Sequence, residues 1–262
     1  IRGVAIEGVA GENINLSPEV AKILGKSFAV WLKRKNTEKL TVAIGTDSRL
    51  SGPSLKKAFI MGLTEMGVDV LDCGIASTPA MFMTTINDNL KVAGAVMLTA
   101  SHLPFNRNGM KFFTKNGGFD KIDVSDLLEI ASEDAFQNST IQGKHTKIDF
   151  ISDYAAFLVD TIRKGVNDSN HFNEPLKGLK IIVDAGNGSG GFFADKVLIP
   201  LGADIQGSQF LDPDGTFPNH VPNPEDPAAM TSICNAVKRE KADLGIIFDT
   251  DVDRSAVVDE FG

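Results

Sequence analysis

The sequence predicts an α/β protein made of two related three-layer α/β/α domains, each with a mixed, mainly parallel sheet. Along the 262 residues, continuous apolar segments alternate with amphipathic ones. This pattern is typical of buried strands and of helices that cover both faces of a parallel sheet. The order of elements also restarts in the second half. In both halves an apolar strand runs into a turn rich in Gly, Asp and Ser, which indicates related units.

The first predicted domain covers residues 1–147. Its first buried strand is LTVAIG (40–45), and Pro53 suits the first turn of a helix that extends to about Met66. The next elements are a strand at 68–74, a helix that begins at Thr78-Pro79, a strand at 91–99 and an amphipathic segment at 124–131. The segment HTKIDFISDYAAFLVDTIRKGV (145–166) has apolar residues at helical spacing and predicts one long helix.

The second predicted domain covers residues 148–262. The segment GLKIIVDAGNGSGG (178–191) predicts a strand that ends in a glycine-rich turn, with a helix from Phe192. That turn is either a tight strand-to-helix connection or a phosphate cradle, although it does not match a full dinucleotide-binding pattern. The remaining elements are a proline-punctuated loop (212–227), a helix (228–240) and a strand (242–254) that ends in acidic residues.

The composition excludes several classes of function. The chain is 42% hydrophobic and 23% charged, with a net charge of −8 and a pI near 5.0, so it has no basic footprint for nucleic acid. Cys73 and Cys234 lie far apart, which favours a reducing compartment without a disulfide framework. No apolar run reaches the length of a membrane span, and no signal peptide or initiator Met is present. We therefore expect neither a nucleic-acid nor a membrane partner, in a chain that looks cut at both ends.

A serine and a histidine follow the apolar run that ends at Leu98. Ser101 offers a small nucleophilic hydroxyl, and His102 can move protons near neutral pH. Asn108-Gly109 is typical of a turn, after which Lys111 lies on the next apolar segment. These residues predict a reactive loop, and the alternative is a loop whose Ser and His only solvate the end of a strand.

A cluster of acidic residues ends the last predicted strand. Asp249, Asp251 and Asp253 alternate after the apolar segment LGIIF and are followed directly by Arg254. Carboxylates this close repel each other unless a cation lies among them, and hard oxygen ligands select Mg²⁺ over softer metals. The sequence therefore predicts a magnesium site at a strand end, and the alternative is a solvated acidic turn.

Five segments in order resemble the α-D-phosphohexomutase family, which includes phosphoglucomutase, phosphomannomutase and phosphoglucosamine mutase. TASHLPFNRNGMKFF (99–113) resembles the family's phosphoserine loop, and FDTDVDR (248–254) resembles its metal loop. The other three segments are IRGV (1–4), GTDSRLSGP (45–53) and DGTFPNHVPNPEDP (214–227). The resemblance implies a four-domain protein of which this chain holds the first two domains, so we expect the fragment alone to be inactive.

The resemblance also implies a mechanism and a role for each candidate residue. Ser101 would carry a phosphoryl group between hexose 1-phosphate and hexose 6-phosphate through a hexose bisphosphate, assisted by His102 and Lys111. Phosphorylated Ser101 would join Asp249, Asp251 and Asp253 as ligands of Mg²⁺. Arg2, Arg49 and Arg254 would bind phosphate, and Arg49 could instead support the phosphoserine loop or form an ordinary surface ion pair. The implied partners are hexose phosphates and the third and fourth domains.

Three residues depart from the family pattern and keep other functions open. Leu103 replaces an asparagine, and Thr250 and Val252 replace two glycines of the metal loop. Because β-branched residues resist a positive φ, the metal loop is expected to differ in shape. One alternative is a non-catalytic interaction or regulatory subunit. Another is a haloacid-dehalogenase-type phosphatase, with Asp249 as nucleophile and Asp251 as acid/base.

The resemblance leaves the hexose and the location open. The segments at 104–113 and 217–227 favour different members, so glucose, mannose and glucosamine phosphates all remain candidate substrates. The segment at 101–113 is also similar to plant plastid members, which makes the cytoplasm or the chloroplast stroma the expected location.

Overall fold

The chain consists of two compact units, Ile1–Ile148 and Asp149–Gly262. A computed structural model describes residues 1–7, 12–36 and 38–262. Within those ranges, none of the helices combines the length and the apolar character that a membrane span requires. Each unit is an α/β layer structure with its own sheet and its own core, and the two are described in turn.

The first unit contains a mixed seven-stranded sheet. Its strands are β1 (Arg2–Val4), β2 (Thr41–Thr46), β3 (Asp69–Ile75), β4 (Gly94–Leu98), β5 (Arg107–Thr114), β6 (Gly117–Gly118) and β7 (His145–Lys147). They lie in the order β1-β5-β4-β2-β3-β7, with β6 paired to β5. The four strands β4, β2, β3 and β7 are parallel neighbours. Because Thr46 pairs with Leu98, the carboxyl ends of β2 and β4 meet at one edge of the sheet, where parallel sheets place their functional loops.

Helices cover both faces of this sheet. They are α1 (Pro18–Lys33), α2 (Gly52–Glu65), α3 (Thr78–Thr85) and α4 (Lys121–Glu133). Gly94 lies against Phe28 of α1, and Gly45 lies against Met81 of α3. These glycines occupy opposite faces of the sheet, so helices pack on both sides. The predicted helix start at Thr78 is confirmed, with Ser77 as the capping residue that accepts a hydrogen bond from the amide of Ala80.

The second unit contains a three-stranded sheet. Its elements are α5 (Phe150–Val166), β8 (Ile181–Asp184), α6 (Pro227–Glu240), β9 (Leu244–Phe248) and β10 (Ser255–Asp259). The strand order is β10-β9-β8, with β8 and β9 parallel and β10 antiparallel to β9. One face of the sheet packs on α6 through Ile182 and Ile247. The other face packs on a short helical segment through Val183 and Phe248, which completes the three layers.

Two predicted helices differ from the observed elements. The prediction of one helix over 145–166 is wrong at its start, because His145–Lys147 forms β7 and pairs in parallel with β3. The helix α5 begins only at Phe150, after Asp149 caps it by accepting a hydrogen bond from the amide of Ser152. The helix expected from Phe192 is short and irregular, since a π-helical turn (Ala194–Leu198) leads directly into a 3-10 turn (Ile199–Leu201).

Two further local predictions are corrected by strand pairing. Asn108-Gly109 does not form a turn, because both residues lie inside β5 and pair with β1. A Cβ atom at Gly109 would clash with the carbonyl oxygens of Ile1 and Thr99, so glycine allows two backbone segments to approach closely. The acidic segment does not end the sheet either, since β10 follows it and makes it the loop of a β-hairpin.

Candidate functional site

The serine loop, residues 99–106, follows directly after β4 and holds Ser101 in an unusual backbone conformation. Ser101 has a φ of 55°, in the left-handed region that residues other than glycine seldom adopt. Its amide donates a hydrogen bond of 2.8 Å to the Oγ1 of Thr99. Its own Oγ lies 3.4 Å from the Nδ1 of His102. The loop therefore brings together the predicted nucleophile and the predicted proton carrier.

Arg49 holds the serine loop through hydrogen bonds to backbone carbonyl oxygens. Its side chain is fully buried, and its guanidinium makes five hydrogen bonds, one for each N–H that arginine carries. The acceptors are the carbonyl oxygens of Ser101, Leu103, Pro104 and Arg107, at 2.5, 2.6, 2.7 and 2.9 Å, and the Oδ2 of Asp47 at 3.2 Å. Arg49 is therefore not a surface ion pair, and its contacts are those of a residue that supports the loop.

Glu12 fixes the far end of the serine loop. Its Oε1 accepts a hydrogen bond of 2.6 Å from Arg107, and its Oε2 accepts one of 2.6 Å from Asn106. Asn108 is buried and donates from its Nδ2 to the Oγ of Ser51, at 2.8 Å. Sequence reasoning missed Glu12, since it lies 94 residues from Asn106 and stands in no recognisable motif.

Two predicted cationic residues lie on strands of the same unit. Lys111 is partly buried in β5, where it pairs with Met97 of β4. Arg2 is exposed on β1, where it pairs with Gly109 of β5. Both residues therefore lie on strands that adjoin the ends of the serine loop.

The acidic loop, residues 249–254, joins β9 to β10 in the second unit. Asp249 and Asp251 are fully buried and Asp253 is exposed, and one carboxylate oxygen from each lies within 4.8 Å of the other two. The Oδ1 of Asp249 accepts hydrogen bonds of 3.1 Å from the amides of Asp253 and Arg254. Val252 has a φ of 64°, in the left-handed region. The three predicted ligands are therefore brought together.

Arg254 lies against the acidic loop that precedes it. Its Nη2 is 3.3 Å from the Oδ2 of Asp249, and its Nε is 3.8 Å from the Oδ1 of Asp253. Three carboxylates so close together repel one another, and their hard oxygen atoms fit a divalent cation such as Mg²⁺. The residues present therefore fit the predicted metal, with Arg254 placed to balance part of the acidic charge.

The glycine-rich turn, residues 185–191, packs against the acidic loop and does not form a phosphate cradle. The amide of Ser189 donates to the carbonyl oxygen of Thr250 at 2.8 Å. The amides of Gly186, Asn187 and Gly188 are also bonded within the unit, to the Asp184 side chain and to two carbonyl oxygens. Because a phosphate cradle requires amides that point at the ligand, the tight strand-to-helix connection is the correct alternative.

His220 ties the proline-punctuated loop to the end of β8. Its Nε2 lies 3.0 Å from both carboxylate oxygens of Asp184, which is fully buried and also accepts from Gln209 at 2.8 Å. Burial acts to lower the pKa of His220, but the hydrogen bond and the charge of Asp184 outweigh it and hold that pKa above its ordinary value. Sequence reasoning predicted the proline-punctuated loop but did not identify this pair.

Both units match known protein families. Residues 1–138 match the family described as phosphoglucomutase/phosphomannomutase, alpha/beta/alpha domain I, and residues 157–262 match domain II of the same description. A phosphoglucomutase of Neisseria meningitidis serogroup B is 34% identical over 257 residues, which cover 98% of this chain and 52% of the relative. A phosphomannomutase of Vibrio cholerae is 32% identical over 253 residues, covering 94% and 52%.

A solved structure agrees with these matches. A phosphoglucomutase/phosphomannomutase family protein from Burkholderia thailandensis superposes with a TM-score of 0.81 at 28% identity, over 100% of this chain and 54% of that one. The chain thus spans about half the length of the curated relatives it matches. The relatives named here are bacterial, so the expectation of a chloroplast location gains no support.

Proposed function

This chain belongs to the phosphoglucomutase/phosphomannomutase family, and we propose that it supplies the phosphoryl-carrying and metal-binding residues of a phosphohexomutase. The enzyme would interconvert hexose 1-phosphate and hexose 6-phosphate through a hexose bisphosphate. The observation that carries the proposal is the pair of Ser101 and His102, whose Oγ and Nδ1 are 3.4 Å apart. Because the chain belongs to this family, we no longer consider the alternative of a haloacid-dehalogenase-type phosphatase.

The chemistry at Ser101 is a phosphoryl exchange between two oxygen atoms. The bond from phosphorus to the Oγ of Ser101 breaks, and a new bond forms to a sugar hydroxyl, whose proton leaves to a base. His102 is placed to hold or return a proton at the Oγ of Ser101. Arg49 keeps the loop backbone in place during both half-reactions, because three of its five hydrogen bonds go to loop carbonyls and a fourth goes to Arg107, where the loop enters β5.

The charged residues of the two units have separate tasks. Lys111 and Arg2 supply positive charge for phosphoryl oxygens, since ammonium and guanidinium groups bind such oxygens strongly. Asp249, Asp251 and Asp253 would hold Mg²⁺, which when bound neutralises negative charge on a transferring phosphoryl group. Arg254 balances the acidic loop through its contacts with Asp249 and Asp253.

The proposal is tested by labelling the full-length protein that contains this chain. We expect a hexose bisphosphate carrying radioactive phosphate to label the protein, and peptide mapping to place the label on Ser101. Ser101→Ala should abolish labelling and mutase turnover without unfolding the protein. Ser132→Ala is the matched control, because Ser132 lies on the exposed surface of α4 and its hydroxyl donates to the carbonyl oxygen of Glu129 in the same helix.

Each other outcome points away from a phosphoserine mutase. Wild-type turnover by the Ser101→Ala variant would show that another group carries the phosphoryl. A wild-type protein that takes up no label and turns over no hexose phosphate would instead support the non-catalytic subunit, which Leu103 and Val252 keep open.

A further inference from the structure

We propose that a groove between α2 and β7 in the first unit binds a phosphate monoester that carries an apolar body. The cavity has a volume of about 680 Å³ and is lined on one side by residues of α2 and on the other by β7 and the chain around it. Ligand sites for small molecules commonly have volumes of about 300–1,000 Å³. The groove is formed by residues that the proposed mutase reaction does not use.

The groove is basic although the chain as a whole is acidic. Among the described residues that line it, Lys56, Lys57, Lys147 and His145 face one acidic residue, Asp72, while the whole chain has a net charge of −8. A concave surface lined by one sign of charge concentrates the opposite sign from solution. The electrostatics of the groove therefore favour an anion.

Asp72 is already neutralised by groups of the protein. Its Oδ1 lies 2.7 Å from the Nζ of Lys56 and accepts a 2.9 Å hydrogen bond from the amide of Gly74, and its Oδ2 lies 3.3 Å from the Nε2 of His145. Burial acts to raise the pKa of Asp72, but the hydrogen bond from Lys56 and the contacts that accompany it outweigh that effect and lower it. The carboxylate therefore stays ionised and paired.

The positive charge left for a ligand belongs to Lys57 and Lys147. Both side chains are exposed, and neither forms an ion pair within residues 1–7, 12–36 and 38–262. An ammonium group on a flexible stem can reach an anion from either wall of a groove and donate three hydrogen bonds. These two lysines can therefore hold the phosphate of a ligand between α2 and β7.

Ile60 and Met61 of α2 give the groove an apolar stretch of lining, which we call the apolar floor, and Met61 leaves 43% of its surface exposed. A thioether side chain adapts to ligands of different shape, and a flat apolar or aromatic group would cover this surface. The combination of two exposed lysines with an apolar floor is what selects a phosphate ester over free phosphate.

The test uses adenosine monophosphate as the probe, titrated into the whole protein by calorimetry without divalent cations. Omitting the metal keeps the carboxylates of the acidic loop from recruiting the phosphate. We expect adenosine monophosphate to bind at least about tenfold more tightly than adenosine and than inorganic phosphate. Lys57→Gln/Lys147→Gln should weaken its binding about tenfold or more, and Met61→Glu should abolish it by placing a carboxylate in the floor.

Two matched controls locate the binding. Lys115→Gln/Lys121→Gln removes the same charge from exposed positions of the same unit outside the groove, and should leave the affinity unchanged. Ser101→Ala should abolish mutase turnover yet leave this affinity intact, so the two proposals fail separately. Equal losses in both lysine pairs, or no binding by the wild-type protein, would overturn the assignment. Equal affinity for inorganic phosphate would show that the apolar floor takes no part.

Discussion

The serine loop and the acidic loop both follow a buried strand, yet they are held in different ways. Each contains a residue other than glycine with a positive φ, 55° at Ser101 and 64° at Val252. The serine loop depends on a buried side chain from a distant segment, Arg49. The acidic loop is closed locally, because Asp249 bonds to the amides of Asp253 and Arg254, and its own amide donates to the carbonyl oxygen of Arg254.

This difference predicts where each loop is sensitive to substitution. A loop held by one buried guanidinium loses many hydrogen bonds together when that residue is replaced. A hairpin loop held by short-range contacts keeps most of them after a single change, and its main cost is backbone strain at a β-branched residue. Substitutions at the two loops should therefore change the unfolding free energy by different amounts, and even in opposite directions.

The largest expected effect is at Arg49. Arg49→Met would remove the guanidinium donors from the Oδ2 of Asp47, from three carbonyls of the serine loop and from the carbonyl of Arg107, so we expect the unfolding free energy to fall by about 3–5 kcal/mol. Urea unfolding measures this loss. The unfolding free energy of Arg49→Lys should lie between those of the wild type and Arg49→Met, because lysine keeps the charge but brings three donors instead of five.

The control for this prediction is Arg34→Met, which replaces an exposed arginine of the same unit just after α1. We expect its effect to stay within about 0.5 kcal/mol. A loss at Arg49 no larger than the loss at Arg34 would show that the serine loop does not depend on the guanidinium.

The role of Arg49 marks the limit of what local sequence reasoning can predict. The strand ends that carry Ser101 and Asp249 could be predicted, because apolar runs and the polar residues that follow them are local features. The contacts of Arg49 join residues 52 to 58 positions apart, and no periodicity encodes them. Asn108 shows the opposite failure, because a strong local preference for a turn is overridden by burial and by its bond to Ser51.

The acidic loop shows a third case. The replacement of a family glycine by Val252 predicted a changed loop shape, since β-branched residues resist a positive φ. Val252 nevertheless adopts a φ of 64°. The antiparallel pairing of β9 with β10 imposes this φ on the loop between them. Strand pairing therefore overrides the conformational preference of valine, and the backbone at Val252 is strained.

An intermediate effect is expected in the second unit at His220, away from both loops. Its pKa is raised in the folded protein, so the stability it contributes is fully present below the ordinary pKa of about 6.5 and is lost as pH rises through the folded value. We expect His220→Gln to lower the unfolding free energy by about 1–2 kcal/mol at pH 5.5–6 and by less at pH 9. Urea unfolding across this pH range measures the difference.

His171→Gln is the matched control, since His171 is an exposed histidine of the same unit, 3.4 Å from Asp168. Because this contact is exposed to solvent, its loss should change the unfolding free energy little at each pH. A His220→Gln deficit that is constant from pH 5.5 to 9 would mean that the proton on His220 contributes nothing to the bond with Asp184.

The smallest expected change in unfolding free energy is at Val252, where a smaller residue is expected to be the more stable one. Val252→Gly removes the strain of a β-branched residue at positive φ, while Val252→Ala removes the same methyl groups but keeps a Cβ. Comparing the two separates backbone strain from lost packing. We expect the glycine variant to be more stable than the alanine variant by about 1 kcal/mol in urea unfolding.

Thr250 offers the control within the same loop, because it stands at the other position where the family has glycine but has no positive φ. Thr250→Gly therefore relieves nothing, and it should lower the unfolding free energy by about 1 kcal/mol through added flexibility and lost burial. If glycine gives a more stable protein than alanine at Val252 and a less stable one at Thr250, the strain of the acidic loop is confined to one residue. If glycine lowers stability at both positions relative to alanine, the hairpin tolerates valine without strain, and the contrast with the serine loop reduces to the contacts of Arg49.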